Sequence, residues 1–238
     1  MTKIMLTLFI AFVAVHCGCS KDYVSGKQTF TLIDEDQEVA MGKEYDVQIV
    51  AEYGLYNDED LAAYIDRIGQ SIARVSHRPQ LEYHFRVLDD GMLNAFALPG
   101  GYVYFPRGIL AYFNSEDQLV GVMGHETGHV VARHSVKQMS NRVLFSGFGL
   151  TDRLAKAFPV VGGLATAPIN IGLLKYSRDH EKQSDELGVE YSTRTGHDAR
   201  HMADFFKLLS DMSEEGGQHT PTFLSTHPDP GDRYNRVN

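Results

Sequence analysis

The stretch His125-Glu126-Thr127-Gly128-His129 carries the pattern HExxH, and it decides how the rest of the chain is interpreted. On a helix, residues four apart lie on one face, so the two histidines can offer imidazole nitrogens to one metal ion. The glutamate between them can reach a water molecule on that ion and act as its general base. Roughly 0.03 such matches are expected by chance in this composition, which disfavours an exposed helix with accidental histidines.

The residues around the motif predict the helix that it needs. Ser115 is a good N-cap, and Gln118 three residues later completes a capping-box pattern. Gly121, Gly124 and Gly128 are poor helix formers. Three of them within two turns are expected where another backbone packs closely against the helix.

The motif leaves a third metal ligand to be found, because a catalytic zinc ion has three protein ligands and one open position. Ala132 and Ser135 stand where the metzincin pattern has glycine and histidine. His134 follows His129 by five residues, which on a continuous helix turns it away from the ligand face. The third ligand is therefore expected farther along the chain.

Glu181 is the best candidate for that ligand. It lies near the start of another predicted helix, which ends near Gly196. Asp185 is one turn farther on the same face and can accept the second N–H of a ligating histidine. The alternative is that Glu181 is a solvated helix carboxylate, as most glutamates are.

Periodicity predicts an α+β domain over residues 31–238, with a small sheet packed against several helices. Asp34 begins one predicted helix, which ends before Gly54, and Asn57 or Asp58 begins the next. Strands are predicted at residues 83–88, 93–98 and 102–105. The apolar segment 159–174 is too short to span a bilayer comfortably, so a buried segment is favoured over a membrane-touching loop.

The first twenty residues are typical of an export signal. They contain no acidic residue and one lysine, and residues 4–15 form an apolar run interrupted only by Thr7. A buried N-terminal helix is the alternative. Cys19 follows Gly18 and resembles the lipidated cysteine of a bacterial lipoprotein signal. We therefore expect residues 1–18 to be a lipoprotein-type export signal and residues 19–30 to be a tether to the outer membrane, on the periplasmic side.

The net charge and the positions of the cysteines limit the binding partners and the disulfide bonds that this chain can have. The formal net charge of -9 gives no bulk attraction to phosphates, so a nucleic-acid partner is not expected, although a local basic patch is left open. Both cysteines, Cys17 and Cys19, lie at the end of the leader. The exported chain therefore has no internal disulfide and depends on its core, alone or with a metal.

Several motifs together resemble the zinc metallopeptidase family of the CaaX prenyl protease, HtpX and BepA. They are His125-Glu126-x-x-His129, Glu181-x-x-x-Asp185, the segment from Asn94 to Gly101, and Ser225-Thr226-His227-Pro228 followed by Arg233. The resemblance spans nearly the whole exported chain and is nearest the exported, BepA-like branch, without its repeat domain. It implies a mostly helical, zincin-like fold and zinc-dependent endopeptidase activity. It also implies one zinc ion on His125, His129 and Glu181, with Glu126 as catalytic base.

The strand before the Pro-Gly-Gly turn is a candidate for substrate binding. Asn94, Ala95 and Phe96 would lie on an edge strand beside the metal, where an extended peptide can add main-chain hydrogen bonds. This mode suits flexible polypeptides. A core hairpin is the alternative.

His227 and Arg233 are further candidates near the C-terminus. His227, on a proline-rich loop, can donate to a developing oxyanion or fill the fourth position of zinc and hold the enzyme shut. Arg233 can pair with Asp185 or with substrate carbonyls. A plain surface role for both residues is the alternative.

These features predict a zinc endopeptidase of the bacterial cell envelope, in which Glu126 activates a zinc-bound water to cleave flexible or misfolded polypeptides. Its partners would be a polypeptide substrate and, through a lipid anchor, a membrane surface. One alternative is a metal-stabilised periplasmic chaperone or adaptor with latent peptidase activity. Another is a zinc hydrolase that acts on a non-peptide bond.

Overall fold

The computed structural model describes residues 19–145, 175–214 and 221–228. In chain order the elements are β1 (Cys19–Lys21), β2 (Gln28–Phe30), α1 (Glu35–Tyr53), α2 (Glu59–Val75), β3 (His84–Leu88), β4 (Phe96–Leu98), β5 (Tyr102–Pro106), α3 (Arg107–Leu110), α4 (Glu116–Val131), α5 (His134–Phe145), α6 (Arg178–Arg194), α7 (Arg200–Glu214) and α8 (Phe223–Thr226). The predicted α+β class, mostly helical with a small sheet, is confirmed. The export signal at 1–18, the apolar segment at 159–174 and Arg233 lie outside the described residues.

Strands β3, β5 and β4 form a sheet in that order, with β3 parallel and β4 antiparallel to β5. Successive side chains of a strand point to opposite faces. Val103 and Phe105 of β5 therefore join a core with α2 and α4, whereas Tyr102 and Tyr104 join a second core with α1. Helices cover both faces, which explains why β4 and β5 are buried throughout.

Capping interactions explain where the predicted helices α1 and α2 begin and where α1 ends. Asp34 and Gln37 form a reciprocal capping box at the start of α1, and Gly54, at φ 72°, follows its end. Of the two possible caps for α2, Asp58 is the one used, because its carboxylate accepts a hydrogen bond from the N–H of Leu61.

The segment predicted as a tether, residues 19–30, contains an antiparallel hairpin of β1 and β2. The buried Asp22 organises its turn by accepting hydrogen bonds from the backbone and hydroxyl of Ser25. The same carboxylate lies 2.6 Å from the Nζ of Lys137 in α5. This ion pair attaches the hairpin to the domain, which composition alone did not indicate.

A buried ion-pair network joins α1 to the end of α4. Glu38, in α1, lies with its Oε1 3.1 Å from Nη1 of Arg78 and its Oε2 2.6 Å from Nε of Arg133. Arg133 also donates to the carbonyl of Ile33 across 2.9 Å. One carboxylate thus holds two guanidinium groups, and it fixes the turn that follows the HExxH helix.

We expect Glu38→Ala to lower the free energy of unfolding by about 3–5 kcal/mol, because it leaves buried guanidinium groups without their counter-charge. Urea unfolding followed by circular dichroism measures the change. Glu186→Ala is the matched control, since Glu186 is exposed and pairs with Lys182 only at 4.0 Å. Equal losses in the two variants would contradict the role of the network.

Candidate metal centre

Helix α4 supplies three of the predicted site residues from a buried position. His125, Glu126 and His129 are each at most 1% exposed. Ser115 caps the helix as predicted, by accepting a hydrogen bond from the N–H of Gln118. The predicted capping box is not formed, because the Gln118 side chain accepts from the N–H of Asn114 instead of that of Ser115. The cap fixes where the helix begins and therefore the direction in which the motif faces.

The glycines of α4 allow two other helices to approach it. A Cβ added to Gly124 would lie 3.1 Å from the Cα of Gly188 in α6, and one added to Gly128 would lie 3.2 Å from the Cα of Ser184. At Gly121 the added atom would lie 2.5 Å from a side chain of α7. The expectation of a closely packed backbone is confirmed, and it brings α6 against the ligand face.

Helix α6 carries Glu181 and Asp185 to that face. Both are buried, so the alternative of a solvated Glu181 carboxylate does not hold. Glu181 Oε2 lies 3.5 Å from Nε2 of His125, and Asp185 Oδ1 lies 3.0 Å from Nδ1 of the same ring. The two nitrogens of His125 therefore face different partners, Nε2 the ligand group and Nδ1 the carboxylate of Asp185.

The short helix α8 ends directly before His227 and brings this residue to the histidines of the motif. The backbone N–H of His227 donates to the carbonyl of Phe223 across 2.8 Å, and that of Phe223 donates to the carbonyl of Leu93 across 3.0 Å. The hydroxyl of Thr226 donates to Oδ1 of Asn94. His227 is thus fully buried and tied to the segment that leads into β4, not on an exposed loop.

Four side chains converge in one group, and their ligand atoms all lie within 4.8 Å of one another. Nε2 of His125 and Nε2 of His129 are 3.0 Å apart. Nδ1 of His227 lies 3.3 Å from His125 Nε2 and 3.2 Å from Glu181 Oε1. A tetrahedral ion with bonds of about 2.0–2.1 Å separates its donor atoms by roughly 3.3 Å. The group therefore fits a single metal ion.

His134 was predicted to face away from the ligands, and among the described residues it is not part of the ligand group, but it lies against the ring of His129. Helix α4 ends at Val131, and Arg133 adopts a left-handed φ of 54°, so α5 starts in a new direction. Nδ1 of His134 consequently lies 3.0 Å from Nδ1 of His129. Neither glycine nor proline marks this bend, so periodicity alone does not reveal it.

Burial sets the protonation of the histidines. It lowers the pKa of His129 and of His134 well below the ordinary value of 6.5, although Glu181 opposes the shift at His129. Both rings are therefore neutral at physiological pH. A neutral imidazole offers the lone pair that a metal ion requires.

The predicted substrate strand is shorter than expected, because β4 begins at Phe96. Asn94, Ala95 and Phe96 are buried, so these side chains do not project from the sheet edge. At that edge the hydroxyl of Tyr176 donates to the carbonyl of Ala97 across 3.4 Å. The Tyr176 ring also stacks on that of His129, with centroids 3.8 Å apart. Sequence reasoning missed Tyr176, which no motif marks.

The fold and the buried donor group define a metallopeptidase-like domain, and comparisons with known proteins agree. Residues 59–238 match the model of peptidase family M48, and the chain belongs to that family. The predicted family is therefore confirmed. Among the described residues, none of the helices is both long and apolar enough to cross a membrane.

Relatives include two bacterial proteins and one from yeast. The putative β-barrel assembly-enhancing protease of Vibrio cholerae is 30% identical over 98% of this chain and 50% of its own length. The β-barrel assembly-enhancing protease of Escherichia coli K12 is 30% identical over 85% of this chain and 44% of its own length. The mitochondrial metalloendopeptidase OMA1 of Schizosaccharomyces pombe is 28% identical over 90% of this chain and 64% of its own length. The chain spans about half the length of the two bacterial relatives.

We expect Glu181→Ala to lose the metal that copurifies with the wild type, because it removes one donor from the group. Metal content per chain after gel filtration measures this. Glu186→Ala, an exposed glutamate on the same helix, should retain the metal. Full retention by Glu181→Ala would remove Glu181 from the site, and its neighbour His180 would become the next candidate.

Proposed function

We propose that this chain is a zinc-dependent endopeptidase of the bacterial cell envelope that cleaves flexible or misfolded polypeptides. The observation that carries the proposal is the buried group of three histidines and one glutamate, with Glu126 beside it. Membership of peptidase family M48 supports a peptidase. The printed names of the relatives, assembly-enhancing protease and metalloendopeptidase, support an endopeptidase of this kind.

The donor set favours zinc among the metals. Imidazole nitrogens and one carboxylate, at tetrahedral spacing, are ligands typical of zinc sites, whereas magnesium and calcium prefer six or more oxygens. Among the described residues, one group has these ligands, which supports one ion per chain. His125, His129 and Glu181 would hold the ion.

A bound zinc ion supplies a Lewis acid that polarises a peptide carbonyl and acidifies a coordinating water. Glu126, adjacent to His125 on α4, is the base that takes a proton from the attacking water. The same carboxyl group then delivers that proton to the leaving amine. Its burial excludes bulk water, which strengthens the electrostatic contacts of the reaction.

His227 is proposed to hold the peptidase in a closed form. Its Nδ1 lies among the ligand atoms, where it would take the fourth position of zinc, and its Nε2 lies 3.5 Å from Oε1 of Glu126. A catalytic zinc keeps that position open for water and substrate. Movement of α8 would therefore free both the metal position and the base, and the released imidazole could then donate to the oxyanion.

Substrate binding is proposed along the main chain of β4, which is one of the two edge strands of the described sheet. Hydrogen bonds to backbone groups do not depend on side chains, so this mode suits extended chains of many sequences. Asn94, Ala95 and Phe96 would contribute through backbone position. Arg233 remains a candidate contact to Asp185 or to substrate carbonyls.

The proposed location is the periplasmic side of the outer membrane. Residues 1–18 have the pattern of an export signal, and Cys19 has the context of a lipidated cysteine. A lipid on Cys19 would place the β1–β2 hairpin, predicted as the tether, at the membrane surface. The net charge of -9 supports a polypeptide substrate over a nucleic-acid partner.

We expect Glu126→Gln to bind zinc as the wild type does and to lose casein cleavage, because the amide cannot accept the proton. Zinc content and casein digestion on the same preparation measure the two properties. A zinc-loaded Glu126→Gln variant that still cleaves casein would contradict the assignment of the base. A zinc-replete wild type that never cleaves casein would favour the latent chaperone, the alternative suggested by the position of His227.

We expect His227→Ala to cleave casein faster than the wild type, because it removes the fourth donor from the site. His201→Ala on α7, a partly exposed histidine, is the matched control and should leave the rate unchanged. Initial cleavage rates at equal zinc content provide the measurement. A loss of activity in His227→Ala would instead assign His227 to catalysis.

A further inference from the structure

Helices α5 and α6 place a hydrogen-bonded pair, His134 and Gln183, behind His129, on the side away from the ligand group. We propose that Gln183 and His134 are positioning residues that keep the proton of His129 on Nδ1, so that its Nε2 lone pair faces the metal. The inference rests on the zinc site proposed above.

Three contacts define the pair. Nε2 of His134 lies 2.9 Å from Oε1 of Gln183, and Nδ1 of His134 lies 3.0 Å from Nδ1 of His129. The hydroxyl of Ser184 lies 3.4 Å from the same Nδ1 of His134. The contacts form an ordered chain from the amide of Gln183 to the ligand His129.

The direction of the hydrogen bonds follows from the side-chain amide of Gln183, at the end of the chain of contacts. The amide of Gln183 turns its oxygen toward Nε2 of His134, and in this orientation the oxygen accepts and Nε2 carries the proton. A neutral imidazole has one N–H, and Nδ1 of His134 is therefore an acceptor. Nδ1 of His129 must then donate to it, which leaves Nε2 of His129 with a lone pair. That Nε2 is the atom which lies 3.0 Å from Nε2 of His125, inside the ligand group.

The two histidines of the motif are thus oriented in different ways. His125 faces the carboxylate of Asp185 directly, across 3.0 Å. His129 faces a neutral chain that ends in the amide of Gln183. Glu126, Glu181 and Asp185 are already buried around the site. The amide of Gln183 adds no charge to these buried carboxylates.

The chain is held by the packing of α5 and α6. The His134 ring stacks on that of His180, with centroids 4.1 Å apart and planes inclined by 14°. Gln183 lies two residues after Glu181 on α6, so one helix carries both a proposed ligand and the end of this chain. A shift of α6 would therefore change the third ligand and the orientation of His129 together.

The test uses Gln183, which is only partly buried, because a change at the fully buried His134 could prevent folding. Gln183→Met removes the acceptor at similar volume, and Gln183→Glu keeps an acceptor. Lys182→Met, at the exposed neighbouring position, is the control. Zinc affinity of each purified full-length chain is measured by competition with a chromophoric chelator.

We expect Gln183→Met to bind zinc about 10-fold to 100-fold more weakly than the wild type. Gln183→Glu and Lys182→Met should match the wild type or exceed it. Equal affinity for Gln183→Met and the wild type would overturn the proposal, as would an equal loss in Gln183→Glu. A wild type that binds no zinc would instead refute the proposed function itself.

A second measurement reports the proton positions directly. In the zinc-loaded wild type, the ¹⁵N NMR chemical shifts of the imidazoles should show His134 protonated on Nε2 and unprotonated on Nδ1. They should also show His129 protonated on Nδ1. In Gln183→Met, Nε2 of His134 loses its acceptor, so a single fixed tautomer is no longer expected. Protonation of His134 on Nδ1 in the wild type would overturn the proposal.

Discussion

The close contact between α4 and α6 is the constraint on which the rest of the site depends. Gly124 and Gly188 let the two backbones approach until an added Cβ would lie 3.1 Å from the facing Cα. At this separation the short reach of a glutamate suffices to bring Glu181 beside both histidines of the motif. Side chains at these glycines would push the helices apart, and the carboxylate would leave the donor group.

Burial of charge is the second constraint, and it links the chemistry to stability. Carboxylates inside a protein cost free energy unless positive charge compensates them. On one side of α4, Glu38 is compensated by Arg78 and Arg133. On the other side, Glu181 lies beside the imidazoles of His125, His129 and His227. A divalent ion bound by this group would supply positive charge there, so metal binding and folding are expected to be coupled.

Much of the local structure could be predicted from the sequence because its causes are local. Asp34, Asp58 and Ser115 act as caps at the predicted positions. The approach of Glu181 and Asp185 to His125 could be predicted as well, since the two carboxylates lie one turn apart on the same face of a second helix. The hairpin at residues 19–30 was missed, because the ion pair between Asp22 and Lys137 joins residues far apart in the chain.

The sequence by itself determined the family, the helix that presents His125, Glu126 and His129, and the face on which they lie, because a helical period fixes neighbours four residues apart. Only the tertiary structure decided what surrounds that face. The bend at Arg133 returns His134 to the far side of His129, and α8 inserts His227 among the ligand atoms. These arrangements depend on packing between residues far apart in the chain and on the left-handed backbone conformation of Arg133. Neither produces a periodic pattern in the sequence.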